Sequence, residues 1–129
     1  LTQPANDEIV APQPANDDIS PRAAPVKADA YVGKTLVIET GRRLSLQRHE
    51  VKDESILVLS GRLELTLEDG DGTLHVEELG PGAHRRVETG RIHRYAAIER
   101  CELIEVSTPE LDDVVRLEDD FGRQGTNAP

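Results

Sequence analysis

Two histidines, a glutamate and a glutamine stand at spacings that suit a shared cation. Gln47 and His49 are two residues apart, Glu54 lies five beyond His49, and His93 follows 39 residues after Glu54. On an extended strand residues two apart emerge on the same side, so the Gln47 amide and the His49 imidazole share one face while Leu44, Leu46 and Arg48 take the other, outward one. Imidazole, carboxylate and amide oxygen form a borderline-hard donor set suited to Zn²⁺, Mn²⁺, Fe²⁺ or Co²⁺. Such an ion polarises a carbonyl and stabilises a developing oxyanion, chemistry that serves proton transfer beside a carbonyl. That transfer also needs a positioned group to carry the proton. Lys52, between two candidate ligands and able to lose its proton near a cation, is one choice; Glu88 is another.

Fixed cations hold a phosphate through charge-assisted hydrogen bonds. Arg85, Arg86, Arg91 and Arg94 fall within ten residues, and Arg91 and Arg94 flank His93. If 84–88 is a strand, Arg86 shares its side with His84 and Glu88, whereas Arg85 shares its side with Ala83 and Val87. Arg86, Arg94 and the near-terminal Arg123 are the candidates for substrate contact. His84 is a weaker ligand candidate than His93, and His75 reads as part of a wet strand face. A single cysteine, Cys101, excludes an intrachain disulfide and reads as a small buried hydrophobe.

Positioning these groups falls to strands. Leu63, Leu65 and Leu67 alternate with Glu64, Thr66 and Glu68, the period of a strand with one wet face. Similar short runs cover 35–40, 43–49, 55–60, 62–68, 73–79 and 102–107. Turn residues at 69–72, 80–82 and 89–90 separate them, which predicts an all-β sandwich or barrel. The stretch 109–121 fits a short helix or an irregular strand equally. Residues 1–30 hold five of the 8 prolines and a near-repeat, Gln3 to Ile9 and Gln13 to Ile19, so a disordered Pro-rich tail is expected there. The domain then spans 31–123, followed by a short flexible 124–129.

The chain of 129 residues is the size of one domain, and its net charge of −10 repels phosphate backbones, which argues against nucleic-acid partners. That charge is uneven: 102–121 carry eight acids and one base, Arg116. The longest aliphatic run, Ile56 to Leu59, is far too short to cross a membrane as a helix. Without a charged segment leading into an apolar one, a cytoplasmic location is the expectation.

The order Gly41, Gln47, His49, Glu54, Gly61 resembles the first cupin motif, with Gln47 at the place of the usual first His. Gly82, Glu88, Gly90, His93 resembles the second, with Glu88 replacing a Pro and Ala97 an Asn. Leu46 to His49, Leu103 to Val106 and the run from Asp112 to Arg123 are similar to the C-terminal cupin domain of type II phosphomannose isomerases, over about 35–123. Lys52 departs from that family's Arg, and Ser55-Ile56 from its His-Trp. The resemblance implies a single small cupin jelly-roll β-barrel. It also implies a divalent metal, zinc first and Mn, Co or Fe otherwise, held by Gln47, His49, Glu54 and His93. It further implies interconversion of mannose-6-phosphate and fructose-6-phosphate, and assembly as a homodimer, with which an outward Leu44 and Leu46 stripe is compatible. The other readings of the same residues are a non-catalytic metal-containing cupin that binds a sugar or metabolite, and a different metal chemistry such as oxidation.

Overall fold

The computed structural model describes residues 19–21, 24–110 and 112–126. Most of the stretch expected to be disordered, and residues 127–129, lie outside the described residues. The described part of that stretch forms two short strands, β1 (Ile19–Pro21) and β2 (Val26–Lys27). Both pair antiparallel with one edge of β3 (Val32–Ile38). The paired structure therefore begins before residue 31. No helix occurs among the described residues, and 109–121 resolves as β9 (Val115–Glu118) rather than a helix.

Two fifteen-residue strands form the spine. β5 (Glu54–Glu68) and β8 (His93–Ser107) pair antiparallel from Glu54↔Ser107 to Leu67↔His93. The sequence pattern divides β5 into two runs because its apolar positions change parity: Ile56 and Val58 are even, Leu63, Leu65 and Leu67 odd. A strand keeps both sets on one face only by inserting an extra residue. The register shifts of the β5–β8 ladder do fall between Val58 and Leu63. Gly61 sits in that bulge with φ of 86°, and a Cβ there would lie 2.0 Å from the Arg100 carbonyl oxygen. Only glycine meets both demands.

The bend curls the ladder. In a flat ribbon Glu54 and His93, at opposite ends, would stand about 40 Å apart at about 3.3 Å per residue. Their side chains instead approach to 3.7 Å. The ribbon therefore rolls round until its ends face each other across the interior, the geometry of a small jelly-roll barrel. Leu36, Ile38, Ile56, Val58, Leu63 and Leu65 from both halves join one buried cluster, each contributing about 2 kcal/mol of hydrophobic stabilisation.

Shorter strands complete the roll. β6 (Leu74–Leu79) pairs with the second half of β5, and β7 (His84–Val87) with its first residues. β4 (Leu46–Arg48) joins the start of β8 at Gln47↔His93 and pairs on its other side with β9, which in turn pairs with β10 (Gly125–Thr126). Among the described residues no ladder links β1 to β10, so the roll is an open one. Leu44 is not outward as the alternation suggests: it packs against the core, and a bulge between Leu46 and Gln47 resets the phase of β4.

Candidate metal centre

The curl delivers four side chains from three strands to one place. Gln47 and His93 are register partners on β4 and β8, His49 directly follows β4, and Glu54 opens β5. His49, Glu54 and His93 are all buried, and their ligand atoms lie within 4.8 Å of one another. His49 Nε2 is 3.1 Å from Glu54 Oε1, and His93 Nε2 is 3.7 Å from Glu54 Oε2. Gln47 Nε2 stands 3.5 Å from His93 Nε2.

Both imidazoles are held from behind. His49 Nδ1 bonds the Asp113 carbonyl oxygen, and His93 Nδ1 bonds the Arg91 carbonyl oxygen at 2.9 Å. A carbonyl only accepts, so each Nδ1 carries the hydrogen and each Nε2 presents a lone pair to the centre. His49 Nε2 is close to Glu54 yet makes no hydrogen bond of acceptable geometry, leaving a buried orphan. A lone pair beside a carboxylate is a repulsive arrangement until a cation lies between them. The donor chemistry thus fits a divalent metal: two imidazole nitrogens and a carboxylate. Gln47 Oε1 currently accepts from Ser45 Oγ at 2.7 Å. Turning the amide over keeps that contact, because a hydroxyl also accepts, and directs the amide oxygen to the centre.

Glu54 is the hub. Burial pushes its carboxyl up, yet the surrounding groups, the Lys52 ammonium among them, outweigh burial and hold it well below the usual carboxylate range. Tyr95 donates its hydroxyl to Oε2 at 2.5 Å, and burial with the nearby Glu54 and Glu105 charges pushes that phenol well above its ordinary value. His93 is pushed down by burial, which keeps it neutral. Lys52 is 5% exposed, with Nζ 3.2 Å from Glu54 and 3.1 Å from Glu105. Burial works to lower its pKa, yet the two carboxylates win and raise it. The two carboxylates thus hold Lys52 as an ammonium.

The other expected site residues stand elsewhere. Glu54 pairs with Val87 and Ser55 with Arg86, so Arg86 is on the outer face with Ser55, where it forms an ion pair with Asp53 at 2.6 Å. Arg94 alternates with His93 and Tyr95 and projects to the opposite side, bonded to the Leu44 carbonyl at 2.9 Å and to Glu118 at 3.3 Å. Arg123 holds Asp119 at 2.7 Å and stacks on Phe121. Glu88 is exposed and pairs with Arg91 at 3.0 Å. Glu88 and Arg91 help line an open depression of about 450 Å³ whose lining includes none of the candidate ligands. Cys101 is buried, and His75 pairs with Asp69 at the surface.

Sequence reading missed Tyr95, Glu105 and Asp113 as parts of the site. Tyr95 was open to detection, since it lies two residues after His93 on the same face of a strand. Asp113 was not, because its contacts cross 61–64 residues of sequence.

A family model described as mannose-6-phosphate isomerase C-terminal matches residues 24–119. No match is found among curated protein sequences. Among solved structures, a Klebsiella pneumoniae protein with a double-stranded β-helix domain aligns with TM-score 0.66 at 19% identity, over 88% of this chain and 94% of the other. KdgF from a Halomonas species aligns with TM-score 0.65 at 22% identity, over 78% and 86%. Oxalate decarboxylase from Bacillus subtilis, a protein with Mn(II) centres, aligns with TM-score 0.63 at 18% identity over 69% of this chain. That alignment spans only 24% of the decarboxylase. At these identities the likeness is one of fold.

Proposed function

Because the chain belongs to the mannose-6-phosphate isomerase C-terminal family of cupin domains, we propose that it is a metal-dependent aldose–ketose isomerase interconverting mannose-6-phosphate and fructose-6-phosphate. The observation that carries this reading is the buried meeting of His49, Glu54 and His93 with a charged Lys52 at its side. When bound, a divalent ion supplies polarisation of the sugar carbonyl. His49, Glu54 and His93 would hold it, with Gln47 as fourth donor; zinc leads, and the Mn(II) of the decarboxylase relative makes manganese a close second. Of the two proton carriers the sequence offers, Lys52 is the one that stands at the centre, its ammonium beside Glu54 and backed by Glu105. Tyr95 fixes the Glu54 carboxylate in the orientation the ion requires.

One observation favours a second reading, a metal-containing cupin that binds a sugar or metabolite without turning it over. Arg86, Arg94 and Arg123 are each engaged by an acidic side chain, so a phosphate must displace one of those partners to be gripped. The test is incubation of the protein, loaded separately with Zn²⁺, Mn²⁺, Co²⁺ or Fe²⁺, with mannose-6-phosphate in deuterated water. The isomerase reading expects fructose-6-phosphate carrying deuterium. No product and no exchange with any ion overturns it, and sugar-phosphate binding without exchange supports the second reading.

A further inference from the structure

The last two candidate ligands of the first motif, His49 and Glu54, are joined by a short loop whose backbone is gripped from both sides. On its carbonyl side, Thr89 Oγ1 donates to the Val51 oxygen at 2.7 Å and the Lys52 oxygen at 3.1 Å, while the Gly90 N–H donates to the His49 oxygen at 2.8 Å. On its N–H side Thr108 Oγ1 accepts from Asp53 at 3.0 Å, and one side chain holds the three amides before it. Asp113 Oδ1 accepts from the Glu50 N–H at 3.0 Å, and Oδ2 accepts from Val51 at 2.7 Å and Lys52 at 2.8 Å. The carbonyl oxygen of the same residue accepts from His49 Nδ1.

We propose that Asp113 is a positioning residue for the candidate metal centre, through which the C-terminal segment fixes both the tautomer and the direction of His49. The inference rests on the reading of His49, Glu54 and His93 as metal ligands. Three successive amide hydrogens converging on one point form a nest that suits an anion. Asp113 fills it from within the chain, so the loop between the ligands has one conformation before any ion arrives. Because the nest contacts and the His49 contact come from one residue, the loop and the ring cannot shift independently. β9 reinforces the arrangement, since Val115 and Arg116 pair with Arg48 and Gln47 of β4. An aspartate is the side chain that fits: asparagine offers one accepting oxygen for three donors, and alanine offers none.

Such outer partners typically change metal affinity by 10–100-fold. The experiment compares wild type with Asp113→Asn and Asp113→Ala, using Asp71→Asn as a control that neutralises a backbone-capping aspartate in the distant β5–β6 turn. Nitrogen-15 NMR of the metal-free proteins reads the His49 tautomer, and calorimetry with Zn²⁺ and with Mn²⁺ alone reads affinity. Wild type and Asp71→Asn are expected to hold His49 protonated at Nδ1. Asp113→Ala should mix the tautomers and weaken ion binding at least 10-fold, with Asp113→Asn between. Should the alanine variant fail to fold, the asparagine variant carries both readouts. An unchanged His49 tautomer together with unchanged affinity in the folded variants overturns the proposal. If wild type binds neither ion, the metal reading fails while the tautomer measurement still decides whether Asp113 positions His49.

Discussion

A lysine that is 5% exposed between two carboxylates keeps its proton because each alternative leaves an uncompensated charge in the interior. Lys52→Met removes the cation and leaves Glu54 and Glu105 facing one another without it. Breaking a buried pair in this way costs about 3 kcal/mol. The added feature here is that a divalent ion at Glu54 replaces part of the lost charge. Urea unfolding should show the Lys52→Met deficit in chelator and a smaller one in excess Zn²⁺, since an ion that binds only the folded state adds stability as its concentration rises above its Kd. Equal deficits with and without the ion would mean that no cation reaches Glu54. At this scale the sequence was informative about candidate ligands and poor about partners. Side-chain chemistry and strand alternation, which are local, marked Gln47, His49 and Glu54 as candidates, and resemblance to the two cupin motifs joined His93 to them as a set. Whether Arg86, Arg94 or Arg123 is available to a substrate depends on Asp53, Glu118 and Asp119, which only the folded chain brings beside them.

The elements were readable where period two survives and obscure where the interior itself is polar. Runs such as 62–68 announce themselves through leucines, whereas the first half of β8 buries His93, Tyr95 and Ala97 and shows no aliphatic alternation. It is a strand because of what it faces across the ladder, not because of an apolar pattern. β5 presents the opposite difficulty. Its two apolar runs differ in parity and read as separate strands, yet the Gly61 bulge makes them one bent strand. That makes Gly61, the one glycine in β5 and β8, a sensitive position of the spine. Gly61→Ala must place a Cβ against the Arg100 carbonyl at 2.0 Å and hold φ at 86°. Left-handed strain alone costs about 1–2 kcal/mol, and a backbone clash adds to it. The expected outcome is a loss of at least about 2 kcal/mol by chemical denaturation, with weakened metal binding, because straightening the bend parts Glu54 from His93. A variant as stable as wild type would show that the curl does not depend on this residue.

Across the described residues, the segments on either side of the rolled ladder act as covers on it. β1 and β2 cap one edge through β3, while 112–126 cap the other through β4. The C-terminal cover is joined to the barrel largely by charge: Asp113 on the ligand loop, Glu118 on Arg94, and Asp120 on Arg43 at 2.6 Å. The acidic run of 102–121 therefore has a specific function in fastening this cover, which composition alone presents only as an excess of negative charge. Within the cover, Asp119 closes the final turn. Its carboxylate accepts from Arg123 Nε and from the Arg123 backbone N–H, both at 2.7 Å. Led by the Arg123 side-chain bond, and against the opposing effect of burial, its pKa falls from 3.8 to about 2. A carboxyl whose folded pKa is depressed adds stability that is complete above its unfolded value and disappears as pH falls towards the folded one. The window is therefore about pH 5 down to about pH 2. The full shift corresponds to about 2 kcal/mol, and screening at the partly exposed Arg123 reduces it to about 1 kcal/mol. Asp119→Asn keeps the shape and one acceptor but cannot titrate in this range. Urea midpoints of the two metal-free proteins should differ by a constant amount from pH 7 to pH 5 and converge as pH drops towards 2. Other acids and the histidines titrate in both proteins and cancel in the difference. A gap that stays constant to pH 2.5 would mean that the Asp119–Arg123 clasp does not stabilise the turn it closes.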